Sequence, residues 1–120
     1  MTKPVKSIEQ CPMGVSIKIL SGKWKIYILW YLRNGAVRFN ELQRKLPRIT
    51  QKTLTQQLRE LEMDGIIVRQ VYPEVPPRVE YSLSKLGESI KPLLASMCKW
   101  GIYYQKVRTL APKEPGEKSS

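Results

Sequence analysis

The polar side chains best able to form several hydrogen bonds or ion pairs lie close together between residues 51 and 64. They are long amides, cations and a hydroxyl: Gln51, Lys52, Thr55, Gln56 and Arg59. On a helical wheel Lys52, Gln56 and Arg59 fall near the centre of one face, with the other two towards its edge. A long amide can pair bidentately with adenine and a guanidinium with guanine, while hydroxyls and amines can contact phosphates. This group therefore predicts a surface that reads base pairs.

The opposite face of the same helix is apolar. It carries leucines at spacings of four and three, namely Leu54, Leu58 and Leu61. Such a stripe fixes that face to the core and leaves the polar face exposed. The acids Glu60, Glu62 and Asp64 gather in the C-terminal half. We therefore expect the N-terminal half, where the helix dipole also favours phosphate, to be the reading end.

A polar helix face by itself is also typical of a solvated surface, so the neighbouring segments decide the interpretation. A short helix that ends at Pro47 precedes it, and Thr50 is a plausible N-cap. After Gly65, IIVRQVY and RVEYSLS flank a proline-rich turn, which predicts a two-stranded hairpin with Arg69 and Arg78. Two helices joined by a tight turn and followed by a hairpin predict a helix-turn-helix with a wing.

The remaining segments predict further helices. Residues 11–20 form a short one, because Pro12 is favoured at the first helical position. Residues 23–35 carry apolar side chains on nearly every face, so we expect this helix to be buried on most sides. The last segment, residues 84–108, returns to helical spacing, and Pro92 should kink or shorten it. The fold class is mainly α with a small β-hairpin.

Many of these residues also resemble one family, the HxlR-type branch of the winged-helix regulators. The resemblance covers about residues 11–104 and rests on Cys11-Pro12, Gly22-Lys23-Trp24, Arg38-Phe39, Glu41-Leu42, the stretch from Ile49 to Gly65, Arg69, the stretch from Pro76 to Leu83, Leu86-Gly87 and Trp100. Thr50 and Ser84 are small departures that keep a hydroxyl. The resemblance implies a homodimer, joined through its N- and C-terminal helices, that binds inverted repeats in double-stranded DNA near the promoters it controls.

The last helix independently suggests a second copy of the chain. Its large apolar residues exceed what a small domain covers on one face: Leu94, Met97, Trp100, Ile102, Tyr103 and Tyr104. A partner surface is therefore expected. The alternative is that the stripe packs only on its own core.

Composition limits the other classes of function. The net charge of +11 favours a polyanion, either nucleic acid or an anionic membrane. The sequence lacks an apolar run long enough to cross a bilayer and a signal peptide at its start, which predicts a cytoplasmic protein. With no histidine and no glycine-rich phosphate loop, we expect no enzyme, no metal site and no cofactor.

The two cysteines, Cys11 and Cys98, have separate interpretations. Cys11 would be the N-cap of the first helix, where the dipole favours the thiolate and hence oxidation. Some members of the resembled family sense oxidants or electrophiles with a cysteine at this position. The alternative is a small residue that only packs at a helix start. Cys98 is expected to be a small buried hydrophobe.

The sequence therefore predicts a flexible arm (residues 1–10), a winged-helix DNA-binding and dimerisation domain (11–110) and a flexible tail (111–120). Its function is that of a sequence-specific regulator of transcription. Gln51, Lys52, Thr55, Gln56 and Arg59 read or position DNA, and Arg69 and Arg78 grip its backbone from the wing. The alternative function is a winged-helix module that binds proteins without reading bases. The sequence leaves any small-molecule effector open.

Overall fold

The computed structural model describes residues 10–110. They form two compact units, one that ends at Ser89 and one that begins at Ile90. The predicted arm (apart from Gln10) and the predicted tail lie outside the described residues.

Four helices dominate the first unit. They are α1 (Pro12–Leu20), α2 (Lys25–Leu32), α3 (Phe39–Lys45) and α4 (Gln51–Met63), which confirms the predicted order. In α2 the expected burial is correct for Ile28, Leu29 and Leu32, which are at most 1% exposed. It is wrong for Tyr27, which is 52% exposed. The elements that pack against α2 therefore cover part of its apolar surface and leave the Tyr27 side chain at the solvent.

A small antiparallel sheet follows the helices. The predicted hairpin is confirmed as β2 (Ile67–Tyr72) and β3 (Arg78–Leu83). A further strand, β1 (Val37–Arg38), pairs with β3 and gives the order β1-β3-β2. Nothing in the sequence predicts β1, because two residues are too few to show alternation and their pairing with Tyr81 and Glu80 is a tertiary contact. The Val75–Pro76 peptide bond in the β2–β3 turn is cis.

A short helix, α5 (Lys85–Glu88), fastens the end of the hairpin to the start of β2. Ser84 caps it by accepting a hydrogen bond from the Gly87 N–H at 2.9 Å. The Ser84 hydroxyl donates to the Gly65 carbonyl at 2.5 Å, with the Ile66 carbonyl also within reach at 3.0 Å. A Cβ atom added at Gly87 would lie 2.0 Å from that same Ile66 oxygen. Only glycine fits this crossing without a shift of the backbone.

The described part of the second unit is α6 (Lys91–Leu110), with Ile90 before it. The chain turns at Ser89 and Ile90, so the predicted helix is shortened, and Pro92 lies in the first turn of α6, where its missing N–H costs little. Cys98 is exposed, so the prediction that it is buried is wrong. Leu94 is buried, but most of the large apolar residues of α6 are exposed: Leu93, Met97, Trp100, Ile102, Tyr103, Tyr104, Val107 and Leu110. Within residues 10–110, no helix is long and apolar enough to span a bilayer.

Candidate nucleic-acid interface

Helix α4 is anchored at both ends and along one face. Thr50 is its N-cap, as predicted, and its Oγ1 accepts the Thr53 N–H at 3.1 Å. Gly65 ends the segment with a φ of +78°, a conformation that glycine adopts without strain. The three leucines predicted to face the core are at most 1% exposed: Leu54, Leu58 and Leu61. The opposite face of α4 is therefore held towards solvent.

The turn between α3 and α4 is fixed by the core and by a side-chain hydrogen bond. Leu46 and Ile49 are buried on either side of Pro47. The Gln43 Nε2 atom on α3 donates to the Ile49 carbonyl at 2.6 Å. This bond satisfies a backbone acceptor immediately before α4, so the turn holds the two helices in a defined orientation.

The five candidate reading residues come together on the exposed face of α4. One shallow depression is lined by all of them: Gln51, Lys52, Thr55, Gln56 and Arg59. Thr55 is half-buried at its edge, and the other four side chains are exposed. This matches the arrangement expected from the helical wheel.

An ion pair links this face to α2. The Nζ atom of Lys25 lies 2.7 Å from Oε1 of Glu60, and Lys25 is only 4% exposed. The Gln56 Nε2 atom donates to Oε2 of Glu60 at 2.9 Å. The hydrogen bonds from Lys25 and Gln56, together with the positive charge of Lys25, hold the pKa of Glu60 below its ordinary value of 4.5. In the sequence Glu60 is one of three clustered acids, and nothing there predicts this contact, since a lysine in the first turn of a helix is usually exposed.

The two wing arginines differ in their surroundings. Arg69 is exposed on β2, whereas Arg78 is half-buried at the start of β3. The guanidinium of Arg78 lies 4.0 Å from the centre of the Tyr72 ring, and it forms ion pairs with Glu74 at 3.6 Å and Glu80 at 3.5 Å. Arg78 therefore joins β3 to the β2–β3 turn through Glu74 and to the last residue of β2 through Tyr72. Both arginines line one depression together with Arg38 of β1.

Cys11 occupies its predicted place at the beginning of α1. It is the N-cap, and its Sγ atom accepts the Gly14 N–H at 3.4 Å. The residue is half-buried. In contrast to a buried structural cysteine, it keeps part of its surface at the solvent.

A short helix, a fixed turn, a second helix with an exposed polar face and a β-hairpin together define a winged helix-turn-helix protein of the DNA-binding regulator class. The chain belongs to the HxlR-like helix-turn-helix family, which matches residues 19–109. This confirms the resemblance found in the sequence. The family is one of transcriptional regulators rather than enzymes.

Individual relatives agree with this assignment. The HTH-type transcriptional regulator YkvN of Bacillus subtilis is 51% identical over 94 residues, which are 78% of this chain and 80% of YkvN. The redox regulator HypR in its oxidised form matches with a TM-score of 0.74 and 46% identity, over 78% of this chain and 96% of HypR. The transcriptional regulator YodB of Bacillus subtilis in its reduced form matches with a TM-score of 0.66 and 36% identity, over 76% of this chain and 90% of YodB. The chain is therefore a DNA-binding transcriptional regulator.

Proposed function

We propose that residues 11–110 act as a homodimer that recognises an inverted-repeat operator, with the N-terminal half of α4 from each copy in a major groove. The observation that carries this proposal is the single depression formed by the five polar side chains opposite the leucine stripe of α4. Arg59 and Gln56 have the donors and acceptors that suit guanine and adenine, and Gln51, Lys52 and Thr55 suit phosphates and the edges of the site. A regulator of this kind works on chromosomal DNA in the cytoplasm.

The wing contributes affinity rather than base preference in this proposal. Arg69 is exposed and able to contact the DNA backbone. Arg78 is proposed to contact the backbone as well, and its two carboxylate partners and the aromatic ring of Tyr72 also hold the hairpin in place. Contacts to the backbone fix how the protein lies on the duplex and carry little sequence information.

Two apolar surfaces support the homodimer. On α1 the side chains of Met13, Val15 and Ile17 are at least 50% exposed. On α6 the Trp100 and Tyr104 rings stack with their centres 5.4 Å apart, and Trp100 is 64% exposed. Surfaces of this kind are costly in water and typical of contacts between subunits. Trp100→Glu should convert the dimer to a monomer in sedimentation, whereas the polar substitution Lys99→Gln on the same helix should not.

We further propose that oxidation of Cys11 changes DNA binding. The names of HypR and YodB describe a redox regulator and a regulator with a reduced form, and Cys11 lies at a helix N-terminus and is half-buried. Gly22, two residues beyond the end of α1, lies beside the Gln57 side chain of α4, because a Cβ atom added there would lie 2.7 Å from Gln57 Oε1. We propose that a shift of α1 reaches the reading helix through this neighbourhood.

Gel-shift titration against genomic fragments at two salt concentrations tests the proposed recognition of an operator. A few fragments should bind at least about a thousandfold more tightly than the rest at physiological salt. Equal affinity for every fragment, or a complete loss of binding at moderate salt, would contradict base reading. That result would favour the protein-binding alternative.

A further inference from the structure

Three side chains from two helices form a continuous polar chain that ends on the reading face. Lys25 of α2 contacts Oε1 of Glu60 at 2.7 Å, and Oε2 of Glu60 accepts a hydrogen bond from Gln56 Nε2 at 2.9 Å. Both residues of α4 are one turn apart, so they face each other along the helix. Gln56 is the member of this chain that can reach a base.

Lys25 fixes the position of the Glu60 carboxylate. The lysine side chain is 4% exposed, whereas that of Glu60 is 38% exposed. A buried ammonium that loses its counter-charge is strongly unfavourable, so Lys25 holds Glu60 in place even though Glu60 itself could be solvated. The carboxylate is thereby kept at the edge of the exposed face of α4.

The charge of Glu60 determines which way the Gln56 amide points. The pKa of Glu60 is lowered by its hydrogen bonds from Lys25 and Gln56, so the group is an ionised carboxylate at neutral pH. An ionised carboxylate only accepts hydrogen bonds, and the amide must therefore present Nε2 to it rather than Oε1. The orientation of a glutamine amide is often ambiguous, but in Gln56 the ionised carboxylate of Glu60 fixes it.

This orientation leaves a defined set of groups for a base. The Gln56 amide has two N–H bonds and one carbonyl oxygen, and Glu60 takes one N–H. One N–H and the carbonyl oxygen remain, and adenine offers the complementary acceptor N7 and donor N6 in the major groove. Glu60 accepts hydrogen bonds from Lys25 and Gln56, and its role in this arrangement is to hold the Gln56 amide.

We propose that Lys25 and Glu60 are positioning residues that determine base specificity, by holding Gln56 in the orientation that selects adenine at one position of each half-site. This rests on the proposed function, in which α4 enters the major groove. Neither residue needs to touch DNA. Through Gln56, the ion pair between buried Lys25 and Glu60 determines which base is preferred at that position.

The test is a binding assay on an operator in which each base pair is substituted in turn. Wild-type protein should prefer adenine by about tenfold at one position, and Gln56→Ala should abolish that preference. The double variant Lys25→Met/Glu60→Leu removes both charges without leaving a buried one unpaired. It should lower the same preference at least about threefold while leaving the other positions unchanged. Glu62→Gln, which removes a neighbouring charge outside this chain of contacts, should change no base preference.

The outcomes separate the inference from the proposed function. If the double variant keeps the full preference at the position that depends on Gln56, the positioning role is wrong and base reading by Gln56 stands. If Gln56→Ala alters no position, the reading role of Gln56 fails, and the inference fails with it.

A second measurement on wild-type protein does not depend on how well the double variant folds. The side-chain amide signals of Gln56 in NMR spectra should move as falling pH protonates Glu60. Signals that stay fixed while Glu60 titrates would overturn the proposed positioning of Gln56 by Glu60.

Discussion

The Lys25 ammonium lies 2.7 Å from the Glu60 carboxylate, with the lysine buried and the glutamate at the edge of an exposed face. This contact crosses from α2 to α4 and adds a directional polar contact to the leucine packing beneath α4. Leucine contacts alone are non-directional and tolerate small rotations of a helix. The ion pair therefore favours one rotation of α4, and with it one presentation of the polar face.

Stability should depend on the protonation of Glu60 in acid. The pKa of Glu60 in the folded state lies below its ordinary value of 4.5, so the unfolded chain binds a proton first as the pH falls. This contribution to stability is present above the unfolded pKa and is lost as the pH falls through the folded one. The free energy of unfolding should therefore fall more steeply below about pH 4.5 in wild type than in Glu60→Gln. The free energy of unfolding is measured by denaturant titration at each pH, and the same pH dependence in wild type and Glu60→Gln would contradict this expectation. Glu62→Gln is the control and should behave like wild type.

Replacement of Gly87 should destabilise the hairpin anchor. In Gly87→Ala the new Cβ would lie 2.0 Å from the Ile66 carbonyl oxygen, and a backbone atom cannot move aside cheaply. We expect a loss of about 3 kcal/mol in the free energy of unfolding. Gly65→Ala is the matched comparison, because its Cβ would meet only Leu86 at 4.0 Å and the cost comes from the φ of +78°. That cost should be about 1 kcal/mol. Equal losses in thermal or denaturant unfolding would mean that the Gly87 contact relaxes easily.

The two wing arginines should separate into different roles when each is replaced by alanine. Arg69→Ala should weaken binding to all DNA alike and reduce the salt slope by about 1, with stability unchanged to within about 0.5 kcal/mol. Arg78→Ala should in addition lower the free energy of unfolding by about 1 kcal/mol, because it removes the ring contact with Tyr72. Salt-dependent gel shifts and thermal unfolding measure the two effects. A stability loss in Arg69→Ala that equals the loss in Arg78→Ala would contradict the distinction.

Oxidant response should depend on Cys11 and not on Cys98. Diamide in the presence of glutathione should join the Cys11 thiol to glutathione in a mixed disulfide, with the two electrons and two protons passing to diamide, and thereby change the affinity of wild-type protein for its operator. An excess of a reducing thiol should cleave that disulfide and restore the affinity. Cys11→Ser should bind DNA normally and ignore diamide, whereas Cys98→Ser, which alters the exposed thiol of α6, should respond like wild type. A Cys11→Ser protein that still responds would exclude Cys11 as the sensor.

The fold was largely predictable because its helices follow simple local rules. The spacing of Leu54, Leu58 and Leu61, the cap at Thr50 and the stop at Gly65 are all local signals, and each is confirmed. The strand at Val37 was not predictable in the same way. This strand forms because it pairs with β3, and two residues are too few to show the alternating pattern of a strand in the sequence.

The same distinction between local signals and tertiary contacts applies to the candidate site. Which side chains share the exposed face of α4 follows from a helical wheel, and the structure agrees. How those side chains are held does not follow, because Lys25 and Glu60 meet only when two helices pack. The burial of Cys98 was mispredicted for a related reason. Its apolar neighbours on α6 are themselves exposed, so their chemistry does not imply a covered face.

The role of α4 as the reading helix is tested most directly by measuring how wild type, Arg59→Ala and Lys18→Ala each bind operator DNA and unrelated DNA. Arg59 lies near the centre of the exposed face of α4, and Lys18 is an exposed cation on α1. Arg59→Ala should weaken operator binding by about 1–3 kcal/mol and leave binding to unrelated DNA nearly unchanged. Lys18→Ala should lower both by the same small amount, if it lowers either. An Arg59→Ala protein that loses equal affinity for both DNAs would contradict the assignment of α4 as the reading helix.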